Sequence, residues 1–145
     1  MTVSNYERDF YQWTRDQADL LRTGRLNALD VEHLVEELEN MGARERRELT
    51  NRLKVLIAHL LKWQCQPQLR SRSWDATIQE QRLSLQDLLD DNPSLRPTLE
   101  DHQLHRAYRL GRLLAIKETN LEETTFPPEC PYSVAQVLDE GYYPT

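Results

Sequence analysis

From Ala43 to Gln64 the apolar residues Leu49, Leu53, Leu56, Ile57, Leu60 and Leu61 recur at intervals of three and four, the period of a helix with one buried face. Val55, Ala58 and Trp63 widen that face toward the segment's end. A helix apolar over most of its circumference is a central one, enclosed by other elements. The same period governs most of the chain. Tyr6, Phe10, Trp13, Gln17, Leu20 and Leu21 predict a first helix ending near Thr23, with Gly24 as its stop. Asp30 then stands as an N-cap before Val31, Leu34, Val35 and Leu38, predicting a short second helix closed by Gly42.

Pro67 ends the central segment, and Gln66 to Ser73 reads as a polar connection. Ser73 is expected to cap a fourth helix whose buried stripe is Trp74, Ile78, Leu85, Leu88 and Leu89, stopped by Asn92 and Pro93. Gln81 falls within that stripe, so its amide needs a hydrogen-bond partner. A long fifth helix is expected from about Arg96 to Glu118, with Pro97 in its first turn. Leu104, Tyr108, Gly111, Ala115 and Glu118 trace one seam along it, and the small pair Gly111 and Ala115 permits a close helix crossing. Three prolines make 121–132 an extended connection, followed by a short helix from Ser133 to Glu140 closed by Gly141. No strand pattern, repeat or low-complexity tract interrupts this reading. The expected architecture is all-α: one single-domain bundle, residues 1–145, of about five main helices plus a short C-terminal one.

The chain has 145 residues, enough for one core, and no stretch approaches the roughly 18 apolar residues that span a bilayer. Its start, MTVSNYERDF, lacks a basic region followed by an apolar run, so a cytoplasmic protein without membrane attachment is expected. Cys65 and Cys130 are too few for a disulfide framework, although a single bridge between them stays open. The net charge of −6 is unevenly spread. Residues 43–82 hold nine basic against four acidic side chains, while the other 105 hold nine against twenty. Local potential governs polyanion binding, so nucleic acid stays a possible partner despite the overall sign.

The basic segment also holds the residues that most resemble chemistry. His59, Lys62, Trp63, Arg70, Arg72, Trp74, Gln81 and Arg82 combine proton-transfer, anion-binding and stacking groups around one helix junction. His59 and Gln81 are the candidate catalytic groups; Arg70, Arg72, Arg82, Trp63 and Trp74 are the candidate ligand contacts. A structural reading stands beside this one: His59 as a hydrogen-bonded core residue, the tryptophans as core anchors, the arginines as ion-pair partners of Glu36, Glu37 or Glu39. Glu36, His59 and Glu118, or His102 with His105, lack the repeated spacing of a bundle metal site, and no metal or cofactor is expected. Neither cysteine is poised as a nucleophile, and no phosphate loop or nucleophile elbow occurs. Two functions follow. The first is a small interaction module that presents a helical face or the basic junction to a protein partner. The second is an enzyme or binder for phosphate-bearing ligands, RNA among them, at the His59 to Arg82 junction.

The strings YERDFYQW with LLRTGR, LDVEHLVEELENMG, HLLKWQCQP with RSRSWDATIQEQR, NPSLRP, and FPPECPYSVAQVLDEGYYP together resemble domain-of-unknown-function family 29, over about residues 6–144. The resemblance implies an all-helical bacterial protein, most often cyanobacterial. It implies no particular activity and leaves partner and oligomeric state open.

Overall fold

Asp9 breaks the first predicted helix. The computed structural model describes residues 5–145, and in it a single turn, α1 (Asn5–Arg8), gives way to α2 (Phe10–Arg22). The Asp9 carboxylate accepts the Gln12 amide at 3.1 Å, a local bond that favours starting a new helix over continuing the old one. At the far end Gly24 takes φ +73°, a left-handed conformation that suits the predicted stop. Asp30 caps as expected, its side chain accepting the His33 amide at 3.4 Å.

The second and third predicted helices are one. α3 runs from Val31 to Cys65 without interruption, so Gly42 does not end a helix. Glycine weakens a helix interior by about 1 kcal/mol relative to alanine. Here it is followed at once by Ala43, Arg44, Glu45, Arg46 and Arg47, all good helix formers, and no proline follows to prevent continuation. The described residues divide into two compact units, one ending at Arg44 and the other Glu45–Thr145, and α3 contributes to both.

In the first unit the contacts run antiparallel. Tyr6 meets His33 and Glu37, while Trp13 and Gln17 meet Asp30. Early residues pair with late ones, so the chain from α1 through α2 and the start of α3 forms a helical hairpin.

The second unit holds the apolar core. Leu49, Leu53, Leu56, Ile57, Leu60 and Leu61 of α3 are fully buried, as the spacing predicts. They pack with Ile78, Leu85 and Leu89 of α4 (Arg72–Asp91). Ser71, not Ser73, caps that helix, accepting the Trp74 amide at 3.2 Å, because Arg72 and Ser73 already lie in its first turn. The predicted fifth helix is continuous from Arg96 to Thr119 but contains a π-helical turn, Leu99–Gln103, between α5 (Arg96–Thr98) and α6 (Leu104–Thr119). The extra residue of a π turn shifts the register of a helix. Gln103 is thereby buried, and its carbonyl accepts the Thr50 hydroxyl at 2.7 Å.

Gly111 does what its place in the seam predicts. A Cβ there would stand 2.9 Å from the Lys54 carbonyl oxygen and 3.0 Å from Ile57 Cγ2, so α6 crosses α3 at a distance only glycine allows. α6 ends on Asn120 at φ 56°, a left-handed cap that asparagine tolerates. The connection after it is extended apart from one tight turn, Glu123–Thr125, and two of its side chains, Phe126 and Tyr132, are core residues. α6 holds it down: the Tyr108 hydroxyl donates to the Pro127 carbonyl at 2.5 Å, and Arg112 donates to the Glu123 and Pro127 carbonyls at 2.7 and 3.1 Å. α7 (Val134–Leu138) closes the chain with a Ser133–Gln136 capping box. No strand occurs among the described residues.

Candidate functional site

Within the second unit, the basic junction becomes a set of cations seated on rings and carbonyls. Arg82 is buried. Its guanidinium donates to the Val137, Gln136 and Glu140 carbonyls at 2.9, 3.3 and 3.5 Å, satisfying the last turn of α7 and the residues after it. It also lies 5.5 Å from the Tyr143 ring centroid. Burial lowers its pKa, opposed by Tyr143, Asp139 and Glu140, but a guanidinium stays charged at any physiological pH. Arg70 folds back across Trp63, 5.0 Å above its ring, and donates to the Trp63 carbonyl at 2.8 Å. Lys62 is buried, 5.6 Å from the Trp74 ring, and pairs with Glu118 at 2.5 Å. Arg72 is exposed in the first turn of α4.

The two candidate catalytic side chains, His59 and Gln81, each have a hydrogen-bond contact outside this set of cations. His59 Nδ1 faces the Val55 carbonyl at 2.8 Å, four residues back along its own helix. Burial lowers its pKa, and Lys62 lowers it further, so the neutral ring is favoured. Gln81 finds its partner in Arg52, whose guanidinium donates to the Gln81 carbonyl at 3.3 Å. Glu118, weighed above as a metal ligand, is the Lys62 partner, and among the described residues no three His, Cys, Asp or Glu side chains are grouped as a metal would need. Both cysteines are free thiols, and burial raises the pKa of each.

The junction opens to solvent at a cleft. A cleft of about 530 Å³ is lined by Trp63, Asp75, Gln79, Arg82, Leu83, Glu140 and Tyr143. From the predicted set it takes Trp63 and Arg82. Trp63 and Tyr143 meet there with ring centroids 5.0 Å apart, and the Tyr143 hydroxyl donates to Asp75. Two carboxylates, Asp75 and Glu140, stand beside a guanidinium whose donors already face carbonyls. That balance disfavours an anion and leaves the cleft's apolar ring faces as its main binding element.

The first unit contains a cluster that sequence reasoning missed. Asp30 accepts from the Trp13 indole at 3.0 Å and from His33 Nδ1 at 2.7 Å, and its backbone amide donates to Gln17 at 2.8 Å. Tyr6 stacks on the His33 ring at 4.0 Å and donates to Glu37 at 2.5 Å. The bond to Asp30 raises the His33 pKa, outweighing its partial burial, and Glu32 and Glu36 add to it. Burial pushes the Asp30 pKa up, but the bonds from His33 and Trp13 prevail and the net direction is down. The Tyr6 phenol is pushed up to about 12, first by its bond to Glu37, so it remains a donor. One signal was available: Asp30 and His33 lie three apart at a predicted helix start, where a capping carboxylate and an i+3 side chain meet.

Around that cluster lies a surface unlike the rest of the protein. Eleven large apolar side chains are exposed among the described residues, and eight of them precede Arg44: Phe10, Tyr11, Leu21, Leu26, Val31, Val35, Leu38 and Met41. The other three, Leu69, Leu83 and Leu113, are scattered over the longer unit.

The geometry defines an all-helical protein with a packed second unit and an uncovered apolar surface on the first. The chain matches the model of domain of unknown function DUF29 over residues 5–143, and it belongs to that family. Neither the search of curated proteins nor that of solved structures gives a match. No described helix is long and apolar enough to cross a membrane.

Proposed function

We propose that this protein is a helical interaction module that docks through the hairpin of its first unit. The observation that carries this reading is the concentration of exposed apolar side chains before Arg44. Scattered single apolar residues are normal on any surface, whereas eight of them exposed within so short a stretch of chain favour a docking role. The Asp30, His33, Trp13 and Tyr6 cluster supports it from behind: hydrogen bonds and ring stacking hold the two helices in register without spending apolar surface on each other.

The junction from His59 to Arg82 is the weaker candidate. Arg82, Arg70 and Lys62 face carbonyls, rings and Glu118, and the cleft is flanked by Asp75 and Glu140, so a phosphate-bearing ligand meets cations that are for the most part already engaged.

Site-specific photo-crosslinking in cells tests the module. A photoreactive side chain placed at Leu38 is expected to form covalent adducts, and the same group at Leu113, an exposed apolar position of the second unit, is expected to form none. Absence of any adduct from Leu38 would remove the docking function.

A further inference from the structure

We infer that the cleft of the second unit takes a small organic cation, an ammonium or guanidinium on an apolar stem, with its charged head against Asp75 and Glu140 and its stem against Leu83 and the rings of Trp63 and Tyr143. Every lining residue lies within 45–145, so the inference is independent of the hairpin and of the docking function proposed for it.

Three stretches of chain build the walls. Asp75, Gln79 and Arg82 follow one another at intervals of four and three along α4, which places them on one face of that helix. Trp63 stands in the last turn of α3, and Glu140 and Tyr143 come from the segment after α7. The volume of about 530 Å³ falls within the range of about 300–1,000 Å³ usual for small-ligand sites.

The sign of the ligand follows from which charged atoms it can reach. Arg82 is only 2% exposed, and its nitrogens donate to the Val137, Gln136 and Glu140 carbonyls, so this guanidinium serves the protein and offers little to the cleft. Glu140 is exposed, and its carboxylate makes no hydrogen bond or ion pair among the described residues. Asp75 is half-buried and held in place, one oxygen accepting the Tyr143 hydroxyl and the other the Gln79 amide at 3.1 Å. A carboxylate has about four acceptor positions, so Asp75 keeps capacity for a further donor. Two carboxylates with acceptor capacity to spare thus stand against one sequestered cation, and Asp139 adds negative charge beside it. An anion meets repulsion here, whereas a cation supplies the missing donors.

The apolar part of the ligand is set by the rest of the lining. Leu83, the next position of α4, is 59% exposed, and the half-buried Trp63 and Tyr143 rings meet beside it in the same cleft. Each ring already carries a guanidinium of the chain itself, Arg70 over Trp63 and Arg82 over Tyr143. That occupancy divides the ligand: its charge goes to the carboxylates, and its methylenes to Leu83 and the ring surface left facing the cleft. Lysine and arginine side chains have this build, a long apolar stem with a charged tip, and so do free alkylamines.

Amide NMR of the purified full chain tests the inference, with n-pentylammonium, n-pentanol and pentanoate as probes of one stem in three charge states. Millimolar pentylammonium is expected to give saturable shifts at the Trp63 indole and the Gln79 side-chain amide, and the other two to bind at least about tenfold more weakly. Glu140→Gln should weaken pentylammonium about threefold to tenfold, and Glu140→Lys should abolish its binding; neither removes a contact the fold uses. Leu83→Ser should weaken it about threefold through the stem. No saturable shift, equal binding of pentanol, preference for pentanoate, or a Glu140→Gln variant that binds like the parent would each overturn the inference. Spermidine and the tripeptide Gly-Lys-Gly then separate the two sources of such a cation. Tighter binding of spermidine assigns the cleft to free amines, and tighter binding of the peptide assigns it to a lysine side chain of another polypeptide.

Discussion

The residues before Glu45 and those after it are held together by different physics. In the first unit the interior is polar and aromatic: Asp30 serves Trp13, His33 and Gln17, Tyr6 spans His33 and Glu37, and Trp13 is the one buried apolar side chain among the described residues there. In the second, leucines of α3 and α4 close around Tyr108, Phe126 and Val137, and polar groups enter only with a designated partner. Apolar burial is non-directional and scales with area, so the second unit gains stability by hiding its surface. Hydrogen bonds and ring contacts are directional but modest in net energy, so the first unit fixes its geometry while leaving its apolar residues outside.

The sharpest way to break that comparison is to make one substitution twice in one helix. Leu56 and Leu38 both lie on α3, 0% and 65% exposed. Leu56→Ala should cost about 2–5 kcal/mol in urea unfolding, the range for buried leucines. Leu38→Ala should stay within about 0.5 kcal/mol. Equal losses at both positions would mean that the first unit has a covered core after all.

Next in size is Arg82. Replacing it by leucine removes three donors from the carbonyls around the end of α7, and bonds to charged groups contribute about 1.5–3 kcal/mol each when lost singly. A net loss of about 2–3 kcal/mol is expected, partly offset by easier burial, with local opening of 134–143 seen by hydrogen exchange before the rest of the unit yields. Gly111→Ala comes after it. Alanine gains up to about 1 kcal/mol of helix propensity, but the added Cβ meets the Lys54 carbonyl and Ile57, an overpacking cost of about 1–3 kcal/mol. The net effect should be destabilising by about 1–2 kcal/mol, and a stabilised variant would show that α6 slides freely on α3.

The smallest effect is the most diagnostic, because its sign differs between the units. His33 has its pKa raised by Asp30, so its contribution is fully present below the ordinary histidine pKa near 6.5 and is lost as pH rises through the higher folded value. His59 has its pKa lowered by burial, so its unfolded form takes up a proton first, and stability is lost as pH falls from about 6.5 toward the lower folded value. Titration of the ring protons by NMR should place the two midpoints on opposite sides of 6.5. Acidification through that range should loosen the surroundings of His59 while the Asp30–His33 contact persists. Asp30, with its pKa lowered, sustains its side of the pair until pH drops below the usual carboxylate range.

Helical periodicity determined a great deal by itself: the all-α class, the buried faces of α3 and α4, the Gly111 crossing and the stops at Gly24, Pro67 and Pro93. These are local properties, set by 3.6 residues per turn and by backbone preferences of glycine and proline, and they are readable one segment at a time. Where two local signals competed, tertiary context decided. Gly42 was a plausible stop and is a helix interior; Asp9 sat within a plausible helix and caps a new one. The partners of Arg82 and Lys62 lie more than fifty residues away, so no spacing rule could pair them with carbonyls and Glu118. The uncovered face of the first unit was beyond sequence for the same reason. An apolar stripe shows only that a helix has something to hide, and whether the chain supplies a cover depends on where every other element packs.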